Sequence, residues 1–286
     1  MDDKKRIRED EQYGLVDYHD RSLEMLLEVD RICRKHGIEY SVAYGTMLGA
    51  IRHHGFIPWD DDADVFMTRE NYDKFFQHLD ELDPRFRIVK PTDTPNRFYD
   101  CIARLVWPEW KLGPSTELTA YYDELHNMMF LDFFILDRTK GGLAFKMRKF
   151  RNAFIYGLCM GKRSKNNPGD YAKAWQRAAA KFLAFLGRHR NLNKLLAKKD
   201  RLNRRYSDKG KGDMMWSFNN YPMSSTKPMP LSVYAKVIDV DFEGHKVMCF
   251  EGWDELLKNS YGDYMKLPPD KERKGLHGTT WFGDRL

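Results

Sequence analysis

Between Ala43 and Phe66 the chain reads AYGTMLGAIRHHGFIPWDDDADVF, and no other stretch restricts the possible fold as much. Val42-Ala43-Tyr44 has the character of the end of a buried strand. Gly45-Thr46 breaks it, and Leu48, Gly49 and Ile51 predict a short helix ending at His53-His54-Gly55. A glycine where a strand turns into a helix lets the backbone approach a ligand closely and aims free N–H groups at an anion such as a phosphate. Downstream, Asp62-Ala63-Asp64 leads into the strand-like Val65-Phe66-Met67. Side chains i and i+2 of a strand share a face, which sets Asp62 and Asp64 side by side, about 6.5–7 Å apart at Cα. Two ionised carboxylates so placed repel unless a cation lies between them. Mg²⁺ or Mn²⁺, shared with substrate phosphates, is the usual occupant.

Each half has a plainer explanation when taken alone. Gly45 and Gly49 would be turn and packing glycines. The DDDAD run would be a solvated acidic loop, and its spacing is not that of an EF-hand calcium loop. Together, an anion-binding turn and a metal-binding dyad one short helix apart have the layout of a nucleotidyltransferase active site. A third acid lies in Asn127 to Asp137, NMMFLDFFILD, whose length and apolar character predict a buried strand. An ionised Asp132 within such a run is costly to bury unless it points at a cation or a donor, so it is read as functional. Asp137 is read as a helix or turn cap.

The residues Tyr44-Gly45-Thr46, Leu48-Gly49-Ala50, Arg52-His53, Gly55 through Asp62, and Asp64 resemble the LicD family, which includes fukutin and fukutin-related protein. Relatives show Asp-Ile-Phe-Pro-Leu-Asp where this chain has Asp132-Phe133-Phe134-Ile135-Leu136-Asp137. Tyr261 to Pro269, with Arg273 and His277, match the family's C-terminal signature. The resemblance implies an α/β fold with a polymerase β-like nucleotidyltransferase core, a mixed sheet flanked by helices. It also implies transfer of a phospho-alcohol, such as phosphocholine or ribitol phosphate, from a CDP-alcohol donor to a glycan hydroxyl, releasing CMP. The glycan would belong to the cell envelope or be lipid-linked. On that reading Asp62, Asp64 and Asp132 hold Mg²⁺ (or Mn²⁺), and Asp132 alternatively takes the acceptor proton. Gly45 and Thr46 hold donor phosphates, while Arg52 either binds phosphate or pairs with the acidic cluster. A metal-dependent glycosyltransferase is one alternative, since it also sets an Asp-x-Asp dyad on a nucleotide diphosphate. A non-catalytic anion-binding adaptor is another.

Charge divides the chain into three parts. Residues 138–212 carry 22 Lys and Arg against 3 Asp and Glu, a local charge of +19. The whole chain carries +6, so the remainder carries −13. The expected organisation is a nucleotidyltransferase core over 1–137, an inserted basic helical region over 138–212, and a C-terminal hairpin and helix over 213–286 packing back on the core. A block this basic calls for an anionic partner, and peripheral contact with an anionic membrane is expected through Lys146, Arg148, Lys149, Arg151, Lys198, Lys199, Arg204 and Arg205. Nucleic acid is not expected, because no aromatics interleave as a base-stacking platform. Four scattered cysteines without CxxC spacing predict free thiols and no structural zinc. With no apolar leader and no spanning segment in view, a cytoplasmic protein is expected.

Periodicity fills in the rest. Asp17 to His36 predicts an amphipathic helix closed by Gly37, and Ile38 to Tyr44 a strand. A helix is expected from Thr68 or Arg69 to Leu79, and strands over 86–90 and 100–106, with Trp107 to Ser115 unassigned. Residues 145–206 read as helical with a break near Asn166 to Gly169, and Ala172, Trp175, Ala179, Phe182 and Leu186 share a face. Lys236 to Phe250 reads as a hairpin turning near Glu243-Gly244, and Trp253 to Ser260 as a helix.

Overall fold

A computed structural model describes residues 9–94, 96–111, 128–163, 174–222 and 224–275. Helix α1 runs Val16–His36. Met25, Leu26, Val29, Ile32 and Cys33 recur at three- and four-residue spacing and are all fully buried. Gly37 stops the helix at φ +61°, donating its N–H to the Arg34 and Cys33 carbonyls, a left-handed terminus suited to glycine. Strand β1 is only Ser41–Val42, because helix α2 begins at Tyr44 and runs to His53.

Strand β2 (Asp64–Thr68) and helix α3 (Arg69–Phe75) follow, and Thr68 caps that helix by accepting from the Asn71 N–H. The helix ends well before Leu79, where a separate 3-10 turn occupies Leu79–Glu81. Strands β3 (Arg87–Val89), β4 (Ala103–Lys111) and β5 (Met128–Thr139) complete the N-terminal part. Residues 107–111, unassigned from the sequence, continue β4, while 112–115 and Asn127 lie outside the described residues.

The sheet is mixed, in the order β1-β2-β5-β4-β3, with helices packed on it. Strand β5 is its axis. It pairs in parallel with β2, Asp64 opposite Asp132, and antiparallel with β4, Arg104 opposite Asp132. Its far end, Leu136 to Thr139, pairs with β6 (Met214–Ser217), which also pairs with β7 (Met229–Pro230). The chain thus re-enters the same sheet after its helical excursion. That excursion consists of α4 (Gly142–Cys159), α5 (Ala174–Gly187) and α6 (Leu192–Ser207). The expected break at 166–169, and Ala172, lie outside the described residues. Strands β8 (Val237–Phe242) and β9 (His245–Phe250) form the expected hairpin, with Glu243 and Gly244 both at positive φ as a tight two-residue turn requires. Helix α7 (Trp253–Tyr261) follows.

Two expectations need correcting. Asp137 caps no element. It is fully buried and takes a bidentate ion pair from Arg69, at 2.9 and 2.8 Å, plus the Ser207 hydroxyl at 3.1 Å. Burial opposes the Arg69 charge, but Asp137, Asp200 and Asp73 outweigh it and hold the guanidinium above its ordinary pKa. The second correction concerns the basic region, much of whose charge serves the interior. Arg148 is buried against the carbonyls of Arg138 and Asn203, and Lys199 against that of Phe218. Lys149 donates to the Ser224 carbonyl, and Arg204 pairs with Asp73 and Asp200. Arg148 and Lys199 are thereby withdrawn from any anionic surface, whereas Lys149 and Arg204 stay half-buried.

Removing one partner of a buried ion pair leaves the other charged and dry. Asp137→Ala should therefore cost about 3–5 kcal/mol in urea unfolding, whereas Arg69→Met/Asp137→Leu together should cost less than Asp137→Ala alone. Equal losses would show that the pair does not carry this stability.

Candidate active site

The parallel register of β2 on β5, continued by β4, lays Asp64, Asp132 and Arg104 in one row across three strands. Asp64 opens its strand and Asp62 lies just before it. Ala63 between them is fully buried, and its carbonyl accepts from the Asp132 N–H at 2.9 Å. The alternation that turns Ala63 into the core leaves Asp62 and Asp64 on the other side.

The acids in and beside the row perturb one another. Burial raises the Asp64 carboxyl well above the usual carboxylate range, and the charges of Asp62, Asp132 and Asp60 raise it further, against the pull of Arg104. Asp132 is pushed up to about 6, mainly by burial, with Asp100 and Asp62 adding to the effect and Arg104 opposing it. Arg104 is itself buried, donating from Nε to Asp132 Oδ1 at 2.7 Å and from Nη2 to Asp100 Oδ2 at 2.8 Å. Its guanidinium carbon lies 4.5 Å from the centre of the Phe130 ring. One guanidinium thus pairs with Asp132 in the row and with Asp100 beside it.

The N-terminal turn of α2 faces this row. Its first N–H groups have no partner within the helix. A Cβ on Gly45 would come within 2.2 Å of Asp60 Oδ2, so the glycine is what lets that carboxylate sit against the turn. Tyr44 holds φ +40°, a conformation that costs a non-glycine residue about 1–3 kcal/mol. It is wedged between Phe66 and Phe134 at 4.8 and 4.9 Å, and its hydroxyl accepts from Asn220 at 2.9 Å. Thr46 is buried, and its hydroxyl accepts from the Asp64 N–H at 2.9 Å, tying the helix to the strand that carries the acid.

Arg52, at the other end of α2, donates to the Tyr264 carbonyl at 2.7 Å and to His53 Nε2 at 3.0 Å. Burial lowers its pKa, and the neighbouring Arg273 adds to that effect against the pull of Asp60.

The acidic loop is held from outside. His19 on α1 reaches the Asp60 carbonyl at 2.8 Å and Asp10 at 2.8 Å, and stacks on Phe56 at 4.5 Å. Glu243, in the β8–β9 turn, accepts from the Phe56 N–H at 3.0 Å. Arg273 lies 5.5 Å over the Trp59 ring.

Four site residues were not singled out from the sequence: Asp60, Asp100, Arg104 and Tyr261. Tyr261 is 45% exposed as a residue, but burial at its phenol end and the charges of Asp60, Asp64 and Asp62 raise that phenol well above its ordinary pKa, which sets it near the cluster. Its place in the C-terminal signature was the available signal. Arg104 had none, since an arginine in a strand reads as an edge residue until its register is known. His277 lies outside the described residues.

All donors in the cluster are carboxylate oxygens, a hard set that suits Mg²⁺ or Mn²⁺. Their charge and donor type suit a cation, although among the described residues no three of these carboxylates bring their oxygens within 4.8 Å of one another. A different group, His36, His78 and Glu81, brings its ligand atoms within 4.8 Å of one another at the end of α1. There Lys35 already pairs with Glu81 at 2.8 Å, so that carboxylate has a cation of its own.

Comparison with known proteins agrees with this geometry. Residues 37–146, which include α2, the acidic loop, β2, β4 and β5, match the family described as LicD/FKTN/FKRP, nucleotidyltransferase domain. The chain is 28% identical over 258 residues to the lipopolysaccharide cholinephosphotransferase LicD of Haemophilus influenzae, covering 86% of this chain and 89% of that protein. It is also 28% identical over 158 residues to an uncharacterized protein of Rickettsia typhi, covering 54% of this chain and 45% of that one. Residues 37–146 therefore match a LicD family domain.

Proposed function

We propose that the protein transfers a phospho-alcohol of the phosphocholine type from a CDP-activated donor to a hydroxyl of an envelope glycan, releasing CMP. The observation that carries this reading is the row Asp64–Asp132–Arg104, with Asp60 set against the N-terminal turn of α2. The similarity to a lipopolysaccharide cholinephosphotransferase supports choline as the alcohol and lipopolysaccharide as the acceptor class.

Asp62, Asp64 and Asp132 would hold Mg²⁺ or Mn²⁺, which when bound supplies charge neutralisation to the donor diphosphate. The N–H groups at Gly45 and Thr46 point phosphate oxygens toward the acids. Arg52, Arg273 and the Tyr261 hydroxyl offer further donors at the rim. Asp132, whose Oδ1 accepts from Arg104, would either complete the metal-holding set or take the proton of the attacking hydroxyl through its other oxygen. The hydroxyl oxygen forms its bond to the alcohol-bearing phosphorus as the bond from that phosphorus to the CMP oxygen breaks. Catalysis is by positioning and charge rather than by a covalent intermediate.

Incubating the protein with CDP-choline, CDP-ribitol and CDP-glycerol in turn, with Mg²⁺ and a lipopolysaccharide acceptor, tests the reading. CMP and a phosphodiester product are expected, from CDP-choline above the others. A glycoside formed from a nucleotide-sugar, with no CMP from any CDP-alcohol, would assign a glycosyltransferase instead. Asp62→Asn and Asp64→Asn should each lower transfer on the order of 10²–10³-fold. Chelators should abolish activity without unfolding the chain.

The cluster also predicts a pH dependence. Asp132 has a folded pKa of about 6 against 3.8 in a model peptide, so the folded state holds this proton more tightly than the unfolded state. Its contribution to stability is fully present below the unfolded value and is lost as pH rises through about 6; Asp64 acts in the same direction. Without divalent cation, Asp64→Asn should have a higher Tm than the wild type at neutral pH, the gap closing as pH falls toward about 4. Mg²⁺ should raise the wild-type Tm near neutrality and lose this effect in acid. A gap that is constant with pH would exclude buried acid repulsion as its source.

A further inference from the structure

Exposed apolar surface on this protein is concentrated in one place. Among the described residues, eight of the eleven large apolar side chains that stand exposed lie on α4 and α5. Leu143, Met147, Phe150 and Phe154 recur at the spacing of a single stripe on α4. Trp175, Phe182 and Leu186 do the same on α5. Phe150 is 71% exposed, Trp175 66% and Phe182 62%.

The stripes cannot both turn inward, because the other faces of the two helices are already packed. Ile155, Leu158 and Cys159 of α4 meet Ala184 of α5 and Leu192 and Leu195 of α6 in a core of their own. The contact is close: a Cβ on Gly187 would come within 1.8 Å of the Leu158 carbonyl oxygen. Between the stripes runs a groove of 480 Å³ walled in part by Phe150, Phe154, Trp175 and Phe182.

The charge around this surface has one sign. Residues 138–199 hold 17 Lys and Arg and a single acid, Asp170. With Arg148, Lys149 and Lys199 committed to carbonyls, the exposed cations on these helices and just beyond them include Lys146, Arg151, Lys181 and Arg188. Arg188 lies 4.7 Å over the Phe185 ring. Aromatic rings in the middle, cations around them and almost no acids are the chemistry of a surface that enters the headgroup layer of an anionic bilayer. There the rings reach the acyl boundary and the cations meet phosphates. A second copy of the chain would bring the same cations against this face and repel it. No helix among the described residues is long and apolar enough to cross a membrane, so the contact is peripheral.

We propose that the α4–α5 hairpin docks on an anionic phospholipid bilayer, burying Phe150, Phe154, Trp175 and Phe182 at the acyl boundary. Apolar insertion, not charge alone, holds it there. Tyr221 lines the same groove, and the adjacent Asn220 bonds the Tyr44 hydroxyl at the start of α2. Docking therefore brings the acid cluster toward acceptors anchored in that bilayer. This orientation rests on the transferase reading, whereas the docking itself does not.

Vesicle flotation of the full chain without donor tests the proposal, using phosphatidylcholine vesicles with and without phosphatidylglycerol. Binding to phosphatidylglycerol vesicles is expected, reduced but not abolished by high salt. Phe150→Ser/Phe182→Ser should lower partitioning at least about tenfold, as should Lys146→Glu/Arg151→Glu/Lys181→Glu/Arg188→Glu. Both variants should keep the wild-type Tm and full transfer to a soluble acceptor, because these side chains are exposed and away from the acids. Acyl chains carrying bromine should quench the wild-type tryptophan fluorescence more than that of Trp175→Phe. No binding by the wild type would overturn the proposal, as would serine substitutions that leave binding unchanged or that convert a dimer to a monomer. An absence of transfer by the wild type would count against the transferase reading and leave docking intact.

Discussion

Carboxylate repulsion in a dry place is the constraint on which the site depends. Asp60, Asp62, Asp64 and Asp132 gather where the β2 and β5 strands run side by side, with the Arg104 guanidinium set beside Asp132. Water would screen such charges on a surface, but here Asp64 and Asp132 are both buried, and Asp132 raises the cost of ionising Asp64. A fold retains such an arrangement when something bound relieves it. The N-terminal turn of α2, against which Asp60 sits at Gly45, has the partly positive end that the anion accompanying a cation would also meet.

The surrounding structure holds the acids in place despite that repulsion. The loop from Phe56 to Ala63 has no regular structure of its own, yet it is fixed at several points. His19 takes the Asp60 carbonyl, Glu243 takes the Phe56 amide, and Thr46 takes the amide of Asp64. These anchors come from α1, from the β8–β9 turn and from α2, elements far apart in sequence. The C-terminal third thus contributes to a site whose acids all lie in the first half. Tyr261 and Arg273 bring that same third to the mouth of the cluster.

Much of the fold was legible in the sequence, for identifiable reasons. Helix α1 carries a clean 3.6-residue stripe and a terminal glycine, and the β8–β9 hairpin carries alternation about a two-residue turn. The apolar run around Asp132 could only be an interior strand. Boundaries were less legible near α2, because Tyr44 enters the helix at positive φ, a conformation imposed by the packing of Phe66 and Phe134. Asp137 was misread as a cap because its partner, Arg69, is 68 residues away and is brought to it only by the parallel pairing. The apolar periodicity of Trp175, Phe182 and Leu186 was visible, but periodicity does not say whether a stripe faces a core or a bilayer. Similarly, the summed charge of the basic region concealed that Arg148 and Lys199 are buried and satisfied by carbonyls.

The central claim is that the acids and the α2 turn form one site, in which cation and nucleotide diphosphate bind together. Titration of Mn²⁺ followed by electron paramagnetic resonance, with and without CDP-choline, tests it most directly. Linkage requires each ligand to strengthen the other by the same factor. The account predicts Mn²⁺ binding that is tightened by CDP-choline in the wild type and lost in Asp62→Asn/Asp64→Asn. Mn²⁺ affinity that ignores the nucleotide, or that survives loss of both acids, would contradict it.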